Sequence, residues 1–160
     1  MPNWCLNKLT ISHEDRSKVM EFVHAYKEGK ACEHYLPVPK YEDGTVFVDW
    51  YMWCVENWGT KWDIGSDNGE VRGLNPTIVD NEATMSFDSA WSPPIGLYER
   101  LHNLGFSVEA TYFEPGMGFC GIWHDGDDLY TEYSDKGMIP VRIWEDYNLE
   151  EFFSDDEVEA

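Results

Sequence analysis

Residues 82–114, EATMSFDSAWSPPIGLYERLHNLGFSVEATYFE, decide the fold, because they contain a strand, a helix and a second strand in direct succession. Apolar and polar residues alternate over residues 82–88 and 106–114, which is typical of half-buried strands. Between them, Pro94 marks a first helical position and Gly105 marks the end of the helix. The apolar positions of this unit are Ala83, Met85, Phe87, Leu97, Tyr98, Leu101, Leu104, Phe106, Val108, Ala110 and Tyr112.

The same order occurs at the N-terminus, where residues 4–11 alternate like a strand. Ser12 lies three residues before Asp15, a capping-box-like start for a helix that ends near Gly29. After residue 114, two further segments at residues 119–124 and 129–133 predict paired strands around an Asp-Gly turn. This succession predicts an α+β sandwich, in which an antiparallel sheet carries its helices packed on one face.

Residues 34–76 interrupt this order, and we interpret them as an aromatic-rich insertion. Within them, residues 50–58 carry tryptophans at helical spacing, and Asp49 precedes them as a helix cap. We therefore expect a single domain over residues 1–146. A short amphipathic segment and an acidic tail follow over residues 147–160.

The composition excludes several classes of protein. The 160 residues include 31 Asp and Glu against 11 Lys and Arg, giving a formal net charge of −20. With 16% aromatic residues the chain can bury enough surface to fold, which excludes a disordered protein. Direct binding to nucleic acid requires clustered basic residues and is disfavoured. No apolar run approaches the roughly 20 residues that span a bilayer, so no membrane contact is expected.

The first residues show no basic start followed by an apolar stretch, so we expect no secretory signal and a cytoplasmic protein. The cysteines Cys5, Cys32, Cys54 and Cys120 are widely separated and form no C-x-x-C pair. This spacing favours reduced, buried thiols over a zinc site, and no metal is expected.

Motifs for catalysis or cofactor binding have little support. Residues 116–121 match G-x-G-x-x-G, but they continue into a strand-like segment, whereas a dinucleotide site requires a helix there. The acidic turns at residues 63–70 and 125–128 lack the ligand pattern of a calcium loop. We therefore predict no cofactor, no catalytic residue and a protein that is not an enzyme.

Charge is concentrated at the C-terminal end. Residues 125–160 contain 13 acidic and 2 basic side chains, so they contribute −11. Two interpretations remain, a solvated tail or a carboxylate-dense face that binds a basic protein as duplex DNA would. For the second interpretation the binding residues are Asp125, Asp127, Asp128, Glu145, Asp146, Glu150, Glu151, Asp155 and Asp156.

A second candidate site is aromatic. Lys61 lies between Trp58 and Trp62 in the sequence, and Trp91 follows a predicted strand. These four side chains either line a pocket for a nucleotide or base, or form a structural cluster that closes the core. The sequence leaves both interpretations open.

Four segments resemble the YubB-like family of phage and plasmid proteins. They are residues 1–7 (MPNWCLN), 57–63 (NWGTKWD), 90–94 (AWSPP) and 113–121 (FEPGMGFCG). The resemblance implies a ferredoxin-like domain and expression inside a bacterial host from a mobile element. It transfers no catalytic residue.

Together these observations predict a non-enzymatic interaction protein. We expect it to bind and inhibit a basic host or defence protein that binds nucleic acid, through DNA mimicry by its acidic face. The alternative is a small-molecule binder that sequesters a nucleotide signal at the tryptophans. Fold does not decide between them.

Overall fold

The structure, a computed structural model, describes residues 3–46, 48–67 and 71–158, with side chains described as far as residue 153. In these ranges the chain forms a mixed α+β fold. Its strands are β1 (Trp4–Ser12), β2 (Arg72–Gly73), β3 (Thr77–Val79), β4 (Glu82–Ala90), β5 (Ser107–Glu114), β6 (Phe119–His124) and β7 (Asp127–Glu132). Its α-helices are α1 (Arg16–Lys27), α2 (Ala31–Tyr35), α3 (Trp50–Asn57), α4 (Ile95–Asn103), α5 (Val141–Tyr147) and α6 (Leu149–Val158).

The strands form one open antiparallel sheet in the order β2-β4-β1-β5-β6-β7, and β3 also pairs with β4. The antiparallel sheet of the sequence prediction is thereby confirmed. Strand β1 lies inside the sheet, where Asn7 is paired with Phe87 of β4 on one side and Tyr112 of β5 on the other. Helices α1 to α3 lie between β1 and β2 in the chain, and α4 lies between β4 and β5.

The first face of the sheet packs on α1, α2 and α4. Along β1, Cys5, Asn7, Leu9 and Ile11 are buried and alternate with partly exposed residues. They meet the apolar stripe predicted from residues 82–114, and most of that stripe is buried as expected. Leu104 is the exception. It lies beyond the end of α4 and is 42% exposed, so its assignment to the buried stripe is wrong. The buried members of the stripe are Ala83, Met85, Phe87, Leu97, Tyr98, Leu101, Phe106, Val108, Ala110 and Tyr112.

The second face carries α5 and α6, so the prediction that helices pack on one face is wrong. Ile143 of α5 and Leu149 of α6 are fully buried against Phe113 and Cys120 of the sheet. Phe113 points to this face because it follows Tyr112 in β5, and consecutive strand residues point to opposite faces. Helices therefore cover both faces of the sheet.

The helix caps and the segment at residues 34–76 agree only in part with what the sequence predicts. Asp49 caps α3 as predicted and accepts a hydrogen bond from the backbone N–H of Met52. Helix α1 is capped by Asp15, which accepts from Ser17, whereas Ser12 is the last residue of β1. The segment interpreted as an insertion also contains part of α2 and all of β2, which the sequence analysis did not anticipate. No helix in the described part of the chain combines the length and apolar character needed to cross a membrane.

Asn7 is a polar residue in the middle of the core, and its substitution is expected to destabilise the sheet. Its side-chain nitrogen donates to the carbonyl oxygens of Cys5 and Phe87 and to Ser89 Oγ, at 2.9, 3.3 and 2.8 Å. We expect Asn7→Ala to lower the free energy of unfolding by about 2–4 kcal/mol, since it leaves these acceptors and a cavity behind. Denaturant titration measures this change. Asn103→Ala, at the exposed end of α4, is the control, and an equal loss in both variants would contradict this role of Asn7.

Candidate functional site

Asp125 anchors the turn between β6 and β7. Asp125 and Gly126 both have positive φ angles, 43° and 105°, which is the conformation of a tight hairpin turn. The Asp125 carboxylate accepts a hydrogen bond of 2.8 Å from the backbone N–H of Val108. It also lies 3.6 Å from His102 and from His124. This carboxylate therefore stabilises the folded turn.

Asp127 and Asp128 lie on β7, the edge strand of the sheet. Both are exposed, and so are Leu129 and Tyr130, which are 65% and 51% accessible. The Tyr112 hydroxyl donates a hydrogen bond of 2.6 Å to Asp128. Burial, and then this carboxylate, raise the pKa of Tyr112, so the phenol keeps its proton. The Asp128 carboxylate thus helps to hold the sheet together, whereas Asp127 is exposed to solvent.

Asp146 is an internal residue that joins α5 to the sheet. Its side chain is only 8% exposed. It accepts hydrogen bonds from Thr111 Oγ1 at 2.7 Å, from Arg142 Nε at 3.2 Å and from Lys8 Nζ at 3.4 Å. Because three donors already surround it, Asp146 is not available to a partner.

Glu145 and Glu150 are open to solvent, and they border a groove of about 650 Å³ between α5 and α6. Val141, Trp144 and Asn148 complete the lining of this groove. Neither glutamate forms an ion pair or a side-chain hydrogen bond with a residue that the structure describes. We call this region the C-terminal acidic surface, and it consists of Val141, Trp144, Glu145, Asn148, Glu150 and Glu151, the last of which accepts a hydrogen bond of 2.7 Å from Asn148.

The carboxylates predicted to share one face are divided between two places. Asp155 and Asp156 belong to α6, but their side chains lie outside the described residues. The Asp-Gly turn contacts Val108, whereas the rings of α6 pack on Phe113, five residues further along β5. At roughly 3.3 Å per residue, this separates the turn from α6 by about 16 Å. The structure therefore does not bring together all nine predicted residues.

Trp58 is part of the core. It is 5% exposed, and its indole nitrogen donates a hydrogen bond of 2.7 Å to the carbonyl of Leu36. The ring of Trp53 meets it edge-on at 6.1 Å. For Trp58, the interpretation as a structural residue is the one that agrees with the structure.

Lys61 lies among three aromatic rings at the surface. Its ammonium nitrogen is 4.8 Å from the ring centroid of Trp62, 5.0 Å from Trp91 and 5.3 Å from Tyr51. These distances are within the range of cation–π contacts. Lys61 thus contacts the rings of Trp62 and Trp91, and Tyr51 is a third ring that the sequence did not indicate. The aromatic faces are therefore already occupied by a cation of the same chain.

The cavity beside these rings does not suit a nucleotide. Trp58, Lys61 and Trp62 line a space of about 250 Å³, below the range of roughly 300–1,000 Å³ that is usual for ligand pockets. Two carboxylates, Glu33 and Asp63, and two cations, Lys40 and Lys61, share this lining, so it carries no excess of positive charge for phosphate groups. Asp63 also accepts hydrogen bonds from the backbone N–H groups of Cys32 and Glu33 at the start of α2. At this site, the geometry favours the interpretation as a structural cluster over that as a nucleotide pocket.

The glycine-rich segment at residues 116–121 forms the predicted hairpin. The Glu114 carboxylate accepts hydrogen bonds from the backbone N–H groups of Gly116 and Met117, at 2.6 and 2.7 Å, and Gly118 has a φ angle of 79°. The chain then continues into β6. Within the described ranges, the structure brings no three metal-ligating side chains together.

Comparisons with known proteins add one structural neighbour. No family model matches the chain, and no curated protein matches it. The solved structure of protein api92 from Yersinia pseudotuberculosis, described as a DUF1281 protein, is 11% identical. The likeness covers 84% of this chain and 99% of that one with a TM-score of 0.47. The resemblance to the YubB-like family stays a prediction.

The adjacent residues Glu145 and Asp146 are expected to respond differently to substitution. Asp146→Ala removes the acceptor of three side chains, so it should lower the free energy of unfolding by about 2–3 kcal/mol. Glu145→Ala removes an exposed carboxylate that pairs with no side chain of the described residues, so it should change that free energy by less than about 0.5 kcal/mol. Denaturant unfolding of the two variants tests this. Similar effects in both would contradict the internal role of Asp146.

The four thiols are expected to be inert in the folded protein. Cys5, Cys32, Cys54 and Cys120 are all buried, as predicted. Burial raises the pKa of each thiol, that of Cys54 to about 11, so little reactive thiolate is present near neutral pH. Ellman's reagent should titrate the thiols only after denaturation. Rapid labelling of the native protein would contradict this expectation.

Proposed function

We propose that this chain is a non-enzymatic protein that binds a basic protein through its C-terminal acidic surface. The observation that carries the proposal is that Glu145 and Glu150 border an open groove while neither is paired with a cation of the described residues. An acidic side chain in this setting attracts the Lys and Arg side chains of a partner. The partner class is a host or defence protein that binds nucleic acid, since such proteins carry dense positive charge.

The charge of the whole chain supports this choice of partner. A net charge of −20 on 160 residues produces a negative potential around the molecule. Such a potential accelerates encounters with a basic protein and slows encounters with anionic ligands. Because the partner would use the same basic surface for nucleic acid, binding of the acidic protein inhibits it.

Apolar residues beside the carboxylates give the surface a second means of contact. Val141 is 72% exposed, and both Val141 and Trp144 line the groove. Aromatic anchors at the centre of a contact supply most of the energy of protein interfaces. Lys and Arg also carry long apolar stems, which pack on such rings while their charged ends meet Glu145 and Glu150.

The fold and origin of the chain are part of the proposal. The strand order β3-β4-β1-β5, with α1 between β1 and β3 in the chain and α4 between β4 and β5, supports a ferredoxin-like core. In this view β6, β7, α5 and α6 are additions to the core. The segments similar to the YubB-like family support a phage or plasmid origin and action in the bacterial cytoplasm.

The test compares two charge-matched variants. One carries Glu145→Gln, Glu150→Gln and Glu151→Gln, and the control carries the same change at Glu14, Glu42 and Glu99, which are exposed elsewhere. Each protein is used for affinity capture from bacterial lysate, and the captured basic protein is then purified for titration. We expect the first variant to bind about 10- to 100-fold more weakly than wild type, and the control to bind nearly as wild type does.

A competition measurement completes this test. Duplex DNA should displace the acidic protein from its partner, because both occupy the same basic surface. Equal weakening in the two variants would contradict the assignment to the C-terminal acidic surface. Simultaneous binding of DNA and the acidic protein would contradict the inhibitory function.

A further inference from the structure

The other face of the molecule contains a small crevice with basic side chains. It lies between α1, α2 and α4 and has a volume of about 240 Å³. We call it the helix crevice, and its polar lining residues are Lys18, Glu21, His34, Tyr35 and Arg100. Two of these five side chains are Lys or Arg and one is Glu, in a chain where acidic residues outnumber Lys and Arg by 31 to 11.

Within the described part of the chain, no carboxylate lies within ion-pair distance of Lys18 or Arg100. Neither forms an ion pair or a side-chain hydrogen bond with the residues that the structure describes. Several other cations of this chain do form ion pairs with carboxylates, namely Lys8, Lys40, Arg72 and Arg142. Two cations against the single carboxylate of Glu21 leave a small local excess of positive charge in the crevice, although Lys18 also acts on the nearby carboxylate of Asp15.

The Tyr35 hydroxyl is a buried hydrogen-bonding group without a partner. Tyr35 is 8% exposed, and no group of the described residues forms a hydrogen bond with its hydroxyl. A buried hydroxyl without a partner costs free energy, so such groups usually indicate a ligand or an ordered water. The ring stacks on Phe22 with 5.8 Å between centroids, which holds Tyr35 at the wall of the crevice, with its hydroxyl buried beneath the surface.

Glu21 is the one carboxylate in the lining, and it is directed to His34. Glu21 Oε1 lies 3.6 Å from His34 Nε2. Burial, and then the charge of Glu21, raise the pKa of Tyr35, so its hydroxyl remains protonated and can donate. The lining therefore offers two cations and one neutral donor to an anion, against the one carboxylate of Glu21.

We propose that the helix crevice binds a small oxyanion, the phosphate group of a phosphate monoester, through Lys18, Arg100 and the Tyr35 hydroxyl. Arg and Lys are the side chains that bind phosphate most strongly, and a phenol adds a directed hydrogen bond. The volume is below the range of pockets for drug-sized ligands, so the crevice holds the phosphate while the rest of the ester extends outward.

This site is independent of the proposed protein-binding function. The helix crevice lies among helices on the first face of the sheet, whereas the C-terminal acidic surface lies on the second face. Loss of partner binding in the triple Gln variant would leave phosphate binding unchanged, and the reverse also holds.

The test is calorimetric titration of the full chain with inorganic phosphate at constant ionic strength. Arg100→Gln should weaken binding about 10- to 100-fold, because it removes a charge-assisted hydrogen bond. The control is Lys27→Gln, an exposed cation of α1 outside the crevice, which should leave the affinity unchanged. Absence of binding at millimolar phosphate, or equal weakening by Lys27→Gln, would overturn the proposal.

Tyr35→Phe separates a binding role from a structural one. The variant should weaken phosphate binding about 2- to 10-fold. Without phosphate its thermal stability should equal or exceed that of wild type, since an unpartnered buried hydroxyl is removed. Unchanged phosphate affinity in this variant would overturn the role of the hydroxyl.

The class of ligand is tested with adenosine, adenosine monophosphate and inorganic phosphate. Binding of the two phosphate compounds with similar affinity, without binding of adenosine, would support a site that recognises the phosphate group. Binding of adenosine as tightly as its monophosphate would overturn it.

Discussion

Strand β1 is the element on which the rest of the structure depends, because it is paired on both edges and packed on both faces. Its buried residues, among them Leu9 and Ile11, pack against α1, α2 and α4. On the opposite face, Leu6 packs against the cluster that holds α5, and Lys8 meets Asp146. Because consecutive residues of β1 point to opposite faces, this strand supports a layer of helices on each side of the sheet. One layer carries the helix crevice, and the other carries the C-terminal acidic surface.

Elements with a long periodic pattern could be predicted from the sequence, whereas short ones could not. Strands β1, β4, β5 and β6 and helices α1, α3 and α4 follow alternation or helical spacing over at least six residues, and the pattern indicates them directly. Strands β2 and β3 have two and three residues, too few for a period to be visible. Helix α5 was missed because its apolar residues are interleaved with carboxylates, which resembled an amphipathic end to a tail. That omission is the reason why the second layer of helices was not predicted.

At the candidate site, too, features that depend on neighbouring residues could be predicted, whereas features that depend on contacts between distant segments could not. Charge counts identified the C-terminal carboxylates, but Glu145 and Asp146 are neighbours that point in different directions, and only packing on Thr111 distinguishes them. Stacking of Lys61 on tryptophan follows from adjacency in sequence. The helix crevice could not be predicted, because Lys18, Tyr35 and Arg100 come from three helices and no spacing connects them.

The open edge of β7 also affects how copies of the protein interact at high concentration. An edge strand presents unpaired backbone groups to which another chain can add a strand, and exposed Leu129 and Tyr130 would favour such stacking. The same six-residue strand also carries three acidic side chains, Asp127, Asp128 and Glu132. If two copies were to join edge to edge, these carboxylates would be brought into close proximity, and the repulsion opposes growth of a continuous sheet. The acidity of this chain thus also protects it from aggregating with itself.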